Sequence, residues 1–305
     1  MSHAEVIALF GPTGVGKTAV ALELADMLRA VGEDPVAVSA DALQVYRGLE
    51  TLTGAATSAE QQRLEHRLIA FVDPSEPFSA GRYAEHAHAE IDALLASGRR
   101  PIVVGGTGLY LRAAIADLSL RPPPDPAVRE RLTTELAAIG PEAMHARLDP
   151  ADAERIAPTD RHRIIRELEL REMAVTPASG PASDRQRPSE LWTGDTRHPT
   201  LLVGLVLERE RLYAQIEQRV DAIVAAGAAD EARRVAAAGV GPTARRALGF
   251  EELLAGDVEA MKTRTRQYAR RQLTWMRKLP DTIVIDVTDH SPEQTAGLIL
   301  SRSGR

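Results

Sequence analysis

The residues whose types and spacing most clearly imply chemistry form a short loop near the start of the chain. Residues 11–18 read Gly-Pro-Thr-Gly-Val-Gly-Lys-Thr and follow the apolar run Val6–Phe10. The spacing G-x-x-x-x-G-K-[ST] between a strand and a helix is typical of loops whose backbone amides surround phosphate oxygens. The residues predicted to bind a phosphate or diphosphate are Gly11, Pro12, Thr13, Gly14, Val15, Gly16, Lys17 and Thr18.

Two side chains at the end of this loop would complete the site. Lys17 brings a full positive charge to the phosphate, and the Thr18 hydroxyl is of a type that coordinates Mg²⁺ in such loops. The helix that follows directs the positive end of its dipole at the same anion. The expected cofactor is therefore Mg²⁺, with Thr18 as its protein ligand.

Further polar residues follow two other apolar runs. Asp41 comes after the run 36–39, and Thr107 comes after the run 101–104 and two glycines. Because functional residues of parallel sheets gather at the carboxyl ends of strands, both are expected beside the phosphate loop. From residue type alone, Asp41 suits a general base, a metal ligand or a helix cap. Phosphoryl-transferring NTPases usually carry an Asp for Mg²⁺ at the end of such an apolar strand. In this chain the run 101–104 is followed by Gly-Gly-Thr instead, so the acid could be Asp41.

The elements that must position these residues alternate between strand and helix, which predicts an α/β fold with a parallel sheet and covering helices. The predicted strands are 6–10, 36–39, 68–72, 101–104, 201–206 and 283–285. The predicted helices are 17–31, 79–97 with Ser79 as N-cap, 108–117, several within 125–175 and 208–279, and 292–301. The simplest organisation is an α/β core of 1–120 and 199–305, interrupted by an all-helical insertion at 121–198.

Composition limits the classes of protein to consider. The chain has 305 residues, 44% of them hydrophobic, and no cysteine, which suits a globular protein of the reducing cytoplasm. No apolar run approaches the roughly 20 residues of a membrane span, so no membrane association is expected. The net charge of −6 disfavours nucleic acid, yet seven Lys or Arg and no acid occupy 262–278, with Tyr268 and Trp275 among them. This segment suits a nucleic-acid surface as well as a solvated helix face.

Four runs in this order resemble the tRNA dimethylallyltransferase family over nearly the whole chain. They are the phosphate loop, Asp-x-x-Gln-Val-Tyr-Arg-Gly at 41–48, Gly-Gly-Thr-Gly-Leu-Tyr at 105–110 and Arg-Gln-Leu-Thr-Trp-Met-Arg at 271–277. The resemblance implies a P-loop NTPase-like core with a tRNA-binding helical insertion. It also implies transfer of a dimethylallyl group from dimethylallyl diphosphate to the N6 amine of the adenosine 3′-adjacent to the anticodon. The expected partners are this diphosphate and the anticodon stem-loop of tRNA; no protein partner is implied, and a monomer is expected.

The resemblance also assigns roles to individual residues. Asp41 matches the general base, Thr107 a residue that positions the adenine, and Arg219 an arginine that faces the pyrophosphate. The positions that match tRNA contacts are Asp41, Ala42, Leu43, Gln44, Thr107, Arg129, His162, Arg163, Arg166, Arg246, Gly249, Phe250, Arg271, Gln272 and Trp275. On residue type alone, Arg219 fits a surface helix residue paired with an acid, and Trp275 fits a core residue equally well.

Departures from the family pattern and rival functions stay open at this point. The family usually carries Ser where this chain has Ala42, and Lys where it has Ala55, so one hydroxyl and one cation are missing. An ATP-dependent kinase would also explain the loop and Asp41. A prenyltransferase for free adenine nucleotides would share the core chemistry, and a non-catalytic RNA-binding module would keep the loop as a nucleotide sensor. The matched runs and the basic segments favour the tRNA enzyme.

Overall fold

A six-stranded parallel sheet forms the core of one part of the chain, in a computed structural model that describes residues 4–118, 120–175 and 190–303. The strands in chain order are β1 (Val6–Phe10), β2 (Pro35–Ser39), β3 (His66–Arg67), β4 (Arg100–Gly105), β5 (Thr200–Val206) and β6 (Ile283–Asp286). Their spatial order is β3-β2-β4-β1-β5-β6, and every pair is parallel. The expected α/β class with a parallel sheet is confirmed.

Helices connect the strands of this sheet and cover it, and one more helix follows the last strand. Those of the sheet-containing part are α1 (Lys17–Ala30), α2 (Glu50–Thr53), α3 (Ser58–Arg63), α4 (Ala80–Ala96), α5 (Gly108–Ile115), α10 (Arg209–Ala225), α11 (Ala228–Ala238), α12 (Phe250–Leu254), α13 (Val258–Met276) and α14 (Pro292–Arg302). β1 is completely buried, as a strand covered by helices must be, and this explains its unbroken apolar sequence. Ile7 and Leu9 belong to one core cluster with α1, α14 and β5.

A second set of helices lies between β4 and β5 in the chain: α6 (Pro126–Ile139), α7 (Pro141–His145), α8 (Pro150–Arg155) and α9 (Arg161–Val175). The chain divides into two compact units, one of 1–118 with 188–305 and one of 119–187. The second unit has its own small core of Leu132, Leu136, Met144, Ile156, Ile164 and Leu168. Within the described residues, no helix is long and apolar enough to cross a membrane.

The predicted strand at 68–72 is wrong, because the chain leaves the extended conformation immediately after β3. Leu68 and Ala70 have φ angles of 61° and 51°, in the left-handed region that residues other than glycine rarely adopt. Beyond this turn, only Val72 forms a bridge, with Tyr46. The segment 68–72 is apolar because Leu68 and Val72 are buried, and an irregular segment can bury such side chains as well as a strand can. Ser79 does cap α4, accepting a hydrogen bond from the amide of Arg82.

Candidate active site

The carboxyl ends of three strands lie side by side, because β4 lies between β2 and β1 in the sheet. Ser39 pairs with Val104, and Phe10 pairs with Gly105, so the three strands end at nearly the same level. The segments that leave these ends carry Asp41, Thr107 and the phosphate loop. The sheet therefore brings these three sequence-predicted features together, as its parallel order requires.

The phosphate loop joins β1 to α1 through two residues with left-handed backbone. Gly14 and Gly16 have φ angles of 85° and 93°, which a side chain would oppose. The ammonium of half-buried Lys17 donates hydrogen bonds to the carbonyls of Gly11 and Pro12, both at 2.9 Å. Two neutral carbonyls do not compensate its charge.

Arg219 of α10 adds a second cation to the site. Burial and, to a smaller extent, the positive charge of Arg219 lower the pKa of Lys17, and the negative charge of Asp41 raises it; together they bring this pKa to about 7. Burial also lowers the pKa of Arg219. Two cations that repel one another in a half-buried site lose this repulsion when an anion binds between them. The pair therefore favours binding of a diphosphate.

The placement of Arg219 depends on α10 and on the end of α2. Ile216, one turn before it, packs against Gly14 of the loop. The guanidinium of Arg219 donates to the carbonyl of Gly54 at 3.0 Å, and the side-chain Nε2 of Gln44 donates to the same oxygen at 3.3 Å. Arg219 is thus an internal residue of the site and not a surface residue paired with an acid.

The two carboxylate oxygens of Asp41 differ in their surroundings. Oδ1 accepts hydrogen bonds from the amides of Leu43 at 2.9 Å and Gln44 at 3.4 Å, which makes it a cap of the turn. Oδ2 has no hydrogen-bond partner among the described residues. The cap and the general base, treated as alternatives in the sequence, are therefore compatible in one side chain.

Thr107 precedes α5 and has the residue type of an N-cap, yet its side chain does not cap that helix. Its hydroxyl instead lies 3.2 Å from the hydroxyl of Tyr268 and accepts a long hydrogen bond, 3.5 Å, from the amide of Ala42. Burial raises the pKa of the Tyr268 phenol, so it stays protonated. If Tyr268 donates to Thr107, the Thr107 proton is directed to a third partner, such as a bound base.

Tyr268 was not among the sequence-predicted site residues. The signal that identifies it is the spacing of 268, 272 and 275, which places Tyr268, Gln272 and Trp275 on one face of α13. All three contact the segment of Gly106 to Gly108. The helix therefore presents a polar face to the site as well as basic residues to solvent.

The residues predicted to bind tRNA in the sheet-containing unit have different environments. Arg246 and Arg271 are exposed, and the Arg271 guanidinium lies 5.6 Å from the centre of the Tyr268 ring. The Phe250 side chain is completely buried, and Gly249 is packed against Met261. Trp275 is half-buried, and its ring packs on that of Trp192 with the ring centres 4.8 Å apart and the planes inclined by 46°. Contacts of all these residues with tRNA stay predictions.

In the helical unit, two of the four residues predicted to bind tRNA form ion pairs within the protein. Arg129 and Arg166 bind the completely buried carboxylate of Glu169 at 2.5 and 2.9 Å. His162 and Arg163, at the start of α9, are exposed, and Arg163 lies 3.5 Å from Asp160. Of the four, His162 and Arg163 are thus the two with exposed side chains, and their contacts with tRNA stay predictions.

Comparison with known proteins identifies the family. The model of the family described as IPP transferase matches residues 44–279, which is most of the chain. A curated relative from Syntrophobacter fumaroxidans, named tRNA dimethylallyltransferase, is 42% identical over 298 residues, covering 93% of this chain and 84% of its own. The chain belongs to the IPP transferase family.

Solved structures of this family share its fold. The full-length tRNA isopentenylpyrophosphate transferase of Bacillus halodurans is 30% identical, with a TM-score of 0.68 over 98% of this chain and 97% of that one. A eukaryotic dimethylallyltransferase acting on tRNA is 25% identical, with a TM-score of 0.70 over 93% of this chain and 74% of that one. This IPP transferase is accordingly an enzyme with the P-loop NTPase-like core of the family.

Proposed function

We propose that this enzyme transfers a dimethylallyl group from dimethylallyl diphosphate to the N6 amine of the adenosine 3′-adjacent to the anticodon of tRNA. The observation that carries the proposal is the juxtaposition, in a member of this family, of a carboxylate oxygen without a hydrogen-bond partner and two cations without an ion pair, among the described residues. Asp41 follows β2 and Lys17 follows β1, and in the sheet only β4 lies between these two strands. The first group suits removal of a proton, and the cations suit retention of a diphosphate.

The reaction replaces a carbon–oxygen bond by a carbon–nitrogen bond and transfers one proton. The N6 nitrogen attacks the first carbon of the dimethylallyl group, and the bond from that carbon to the diphosphate oxygen breaks, so pyrophosphate leaves with the electron pair. Asp41 Oδ2 accepts the proton that the nitrogen loses. Lys17, Arg219 and the loop amides stabilise the negative charge that develops on the leaving oxygen. The hydroxyl of Thr107 orients the adenine, which must leave its stack to enter the site.

Mg²⁺ fits this site as the cofactor. The Thr18 hydroxyl has no hydrogen-bond partner among the described residues, and Mg²⁺ typically takes one or two protein ligands together with phosphate oxygens and waters. The described residues contain no cluster of three or more His, Asp or Glu side chains arranged to hold a metal alone. Thr18 would hold the ion against the diphosphate, where the ion would supply further charge stabilisation to the leaving group.

The macromolecular substrate is proposed to be the anticodon stem-loop. The exposed cations Arg246 and Arg271 in one unit and Arg163 in the other suit the RNA backbone, since Lys and Arg neutralise phosphates. A free nucleotide would need none of them. We also propose that the enzyme acts in the cytoplasm, since its lack of cysteine suits a reducing compartment, and that it acts as a monomer, since no heptad or apolar stripe in the sequence calls for a partner chain.

The test is incubation of the protein with dimethylallyl diphosphate, Mg²⁺ and unmodified tRNA, followed by digestion and mass spectrometry of the nucleosides. The expected product is prenylated adenosine at the position 3′ of the anticodon only. Prenylation of free adenosine phosphates but not of tRNA would instead support the nucleotide prenyltransferase. Transfer of phosphate from ATP, without prenyl transfer, would support a kinase.

A further inference from the structure

The side chain of Gln272 joins two parts of the site that lie far apart in the sequence. Its Oε1 accepts a hydrogen bond from the amide of Thr13 in the phosphate loop at 2.8 Å. Its Nε2 donates to the carbonyl of Gly106, after β4, also at 2.8 Å. The residue is only 4% exposed, and both ends of its amide are satisfied within the protein.

Glycine at position 106 is required by this contact. A Cβ at Gly106 would overlap the Nε2 of Gln272, and a Cβ at Gly108 would overlap the ring of Trp275. The hydroxyl of Tyr268 approaches Thr107 on the same face of α13. Residues 106–108 are therefore packed directly on α13, and Gln272 extends this contact to the loop.

We propose that Gln272 is a positioning residue that fixes the phosphate loop relative to the Gly106–Gly108 segment, so that the leaving group and the accepting amine are held in line. The proposal rests on the function proposed above, since it concerns the alignment of those two reactants. The loop holds the diphosphate, and Thr107 orients the adenine. Gln272 touches neither reacting atom in this arrangement and acts through the backbone on both sides.

The chemistry of the amide explains why Gln stands at this position. A backbone N–H on one side and a backbone C=O on the other need an acceptor and a donor on one side chain, and the planar carboxamide of Gln provides both without charge. A carboxylate at 272 would face the Gly106 carbonyl with no donor and would add negative charge beside the diphosphate. An apolar side chain would leave two buried backbone groups without this partner.

Loss of alignment and loss of binding have different kinetic signatures. A displacement of reacting groups by about 1 Å can cost roughly 100-fold in rate while each substrate still binds. We expect Gln272→Met, which keeps most of the volume, to lower the single-turnover rate roughly 100-fold. The equilibrium affinities for dimethylallyl diphosphate and for tRNA should each change by less than about threefold.

The matched control is Gln267→Met, because Gln267 is an exposed glutamine on the same helix. It should leave both rate and affinities unchanged. Thermal unfolding of both variants reports the folded fraction, and rates are expressed per folded molecule. A single-turnover rate of Gln272→Met within about twofold of the wild type would overturn the proposal. Absence of prenyl transfer by the wild type would instead overturn the function on which it rests.

A second variant tests the contact from its other side. Gly106→Ala should lower the rate as Gln272→Met does, because the new Cβ displaces the Gln272 amide. In the Gln272→Ala background the overlapping amide is gone and the tightest remaining neighbour of the methyl group is the Gly11 carbonyl at 3.1 Å, so Gly106→Ala should cost clearly less than in the wild type. Additive losses in the double variant would contradict the proposal, since they would mean that the two positions act independently.

Discussion

At the scale of single residues, Asp41 combines a structural and a chemical role because the fold uses only one of its oxygens. Oδ1 holds the turn that starts the Asp41–Gln44 segment, and Oδ2 has no partner among the described residues. Lys17 and Arg219 instead bring positive charge to the site, and neither forms an ion pair with a described residue. The proton acceptor and the leaving-group site are thus separate groups, each specialised by its surroundings.

Removal of the proton acceptor should leave binding intact. In Asp41→Asn the amide oxygen keeps the hydrogen bond from Leu43, while the basic oxygen is lost. We expect the rate of prenyl transfer to fall by roughly 100- to 10,000-fold, with both substrates bound normally. Single-turnover kinetics and equilibrium binding measure the two quantities. The matched control is Asp257→Asn, which keeps its helix cap on Ala260 and should retain full activity. Near-normal turnover of Asp41→Asn would exclude the general-base role.

Lys17 should make diphosphate binding depend on pH. Its pKa of about 7 lies below the ordinary value of 10.5, so the ammonium is charged below about pH 7 and loses its proton above it. A bound diphosphate favours the charged form, so binding takes up a proton and weakens as pH rises from about 7 to 9, by up to tenfold per pH unit. Calorimetry in buffers of different ionisation enthalpy measures this uptake.

The same titration separates Lys17 from the ionisation of the ligand. Lys17→Arg keeps the charge but does not titrate in this range, so it should show only the pH dependence of the ligand. Equal pH dependence in the wild type and in Lys17→Arg would contradict a lowered pKa of Lys17.

At the scale of elements, short segments connect the two sides of the site. α2 is followed by its C-cap Gly54, whose carbonyl accepts hydrogen bonds from the side chains of Gln44 and Arg219. The buried carboxylate of Glu231, on α11, binds the first amides of this helix, those of Thr51 and Leu52, at 3.0 and 2.7 Å. A four-residue helix has little stability of its own, so its place depends on such contacts. α11 thereby supports the position of Arg219.

Gly54→Ala tests this connection. Gly54 has a φ angle of 57°, and a Cβ there would overlap the Arg219 guanidinium. We expect a loss of about 1 kcal/mol in the free energy of unfolding from the backbone. We also expect an approximately tenfold loss of diphosphate affinity from displacement of Arg219. Thermal unfolding and pyrophosphate binding measure these effects.

Gly256→Ala is the matched control for that change. Gly256 has a φ angle of 73° with no atom near its would-be Cβ, so it should lose similar stability and no affinity. Equal affinities of the two variants would mean that Gly54 does not position Arg219.

The elements also show what the sequence could and could not predict. β1, β5 and α1 were located within a residue or two, because a buried parallel strand and a phosphate loop have strong local signals. The strand at 68–72 failed because its apolar residues signal burial but not backbone conformation. The contact of Gln272 with Thr13 spans 259 residues, and no local pattern encodes such a pairing. The same holds for the sheet order.

At the scale of the whole molecule, the residues proposed for diphosphate chemistry lie in one unit, whereas those proposed for RNA contacts lie in both. The phosphate loop, Asp41 and Thr107 belong to the sheet-containing unit, whereas His162 and Arg163 belong to the helical unit of 119–187. A tRNA substrate needs a surface larger than the pocket for one base. The second unit therefore accounts for residues that catalysis alone would leave unexplained.

Removal of exposed charge from the helical unit should weaken tRNA binding alone. We expect Arg163→Ala to raise the KM for tRNA several-fold and to reduce the slope of log affinity against log salt by about 1. The affinity for dimethylallyl diphosphate should not change. Arg29→Ala, at another exposed arginine, is the control and should affect neither substrate. An unchanged KM and salt slope for Arg163→Ala would exclude this surface from the tRNA interface.

The central claim is that the phosphate loop holds a leaving group and not a donor of phosphate. The most direct measurement is the stoichiometry of a reaction that contains the enzyme, Mg²⁺, tRNA, labelled dimethylallyl diphosphate and ATP. We predict release of one pyrophosphate for each dimethylallyl group attached to tRNA, with the ATP left intact. Consumption of ATP with no label in the tRNA, or pyrophosphate release without attachment, would contradict the claim.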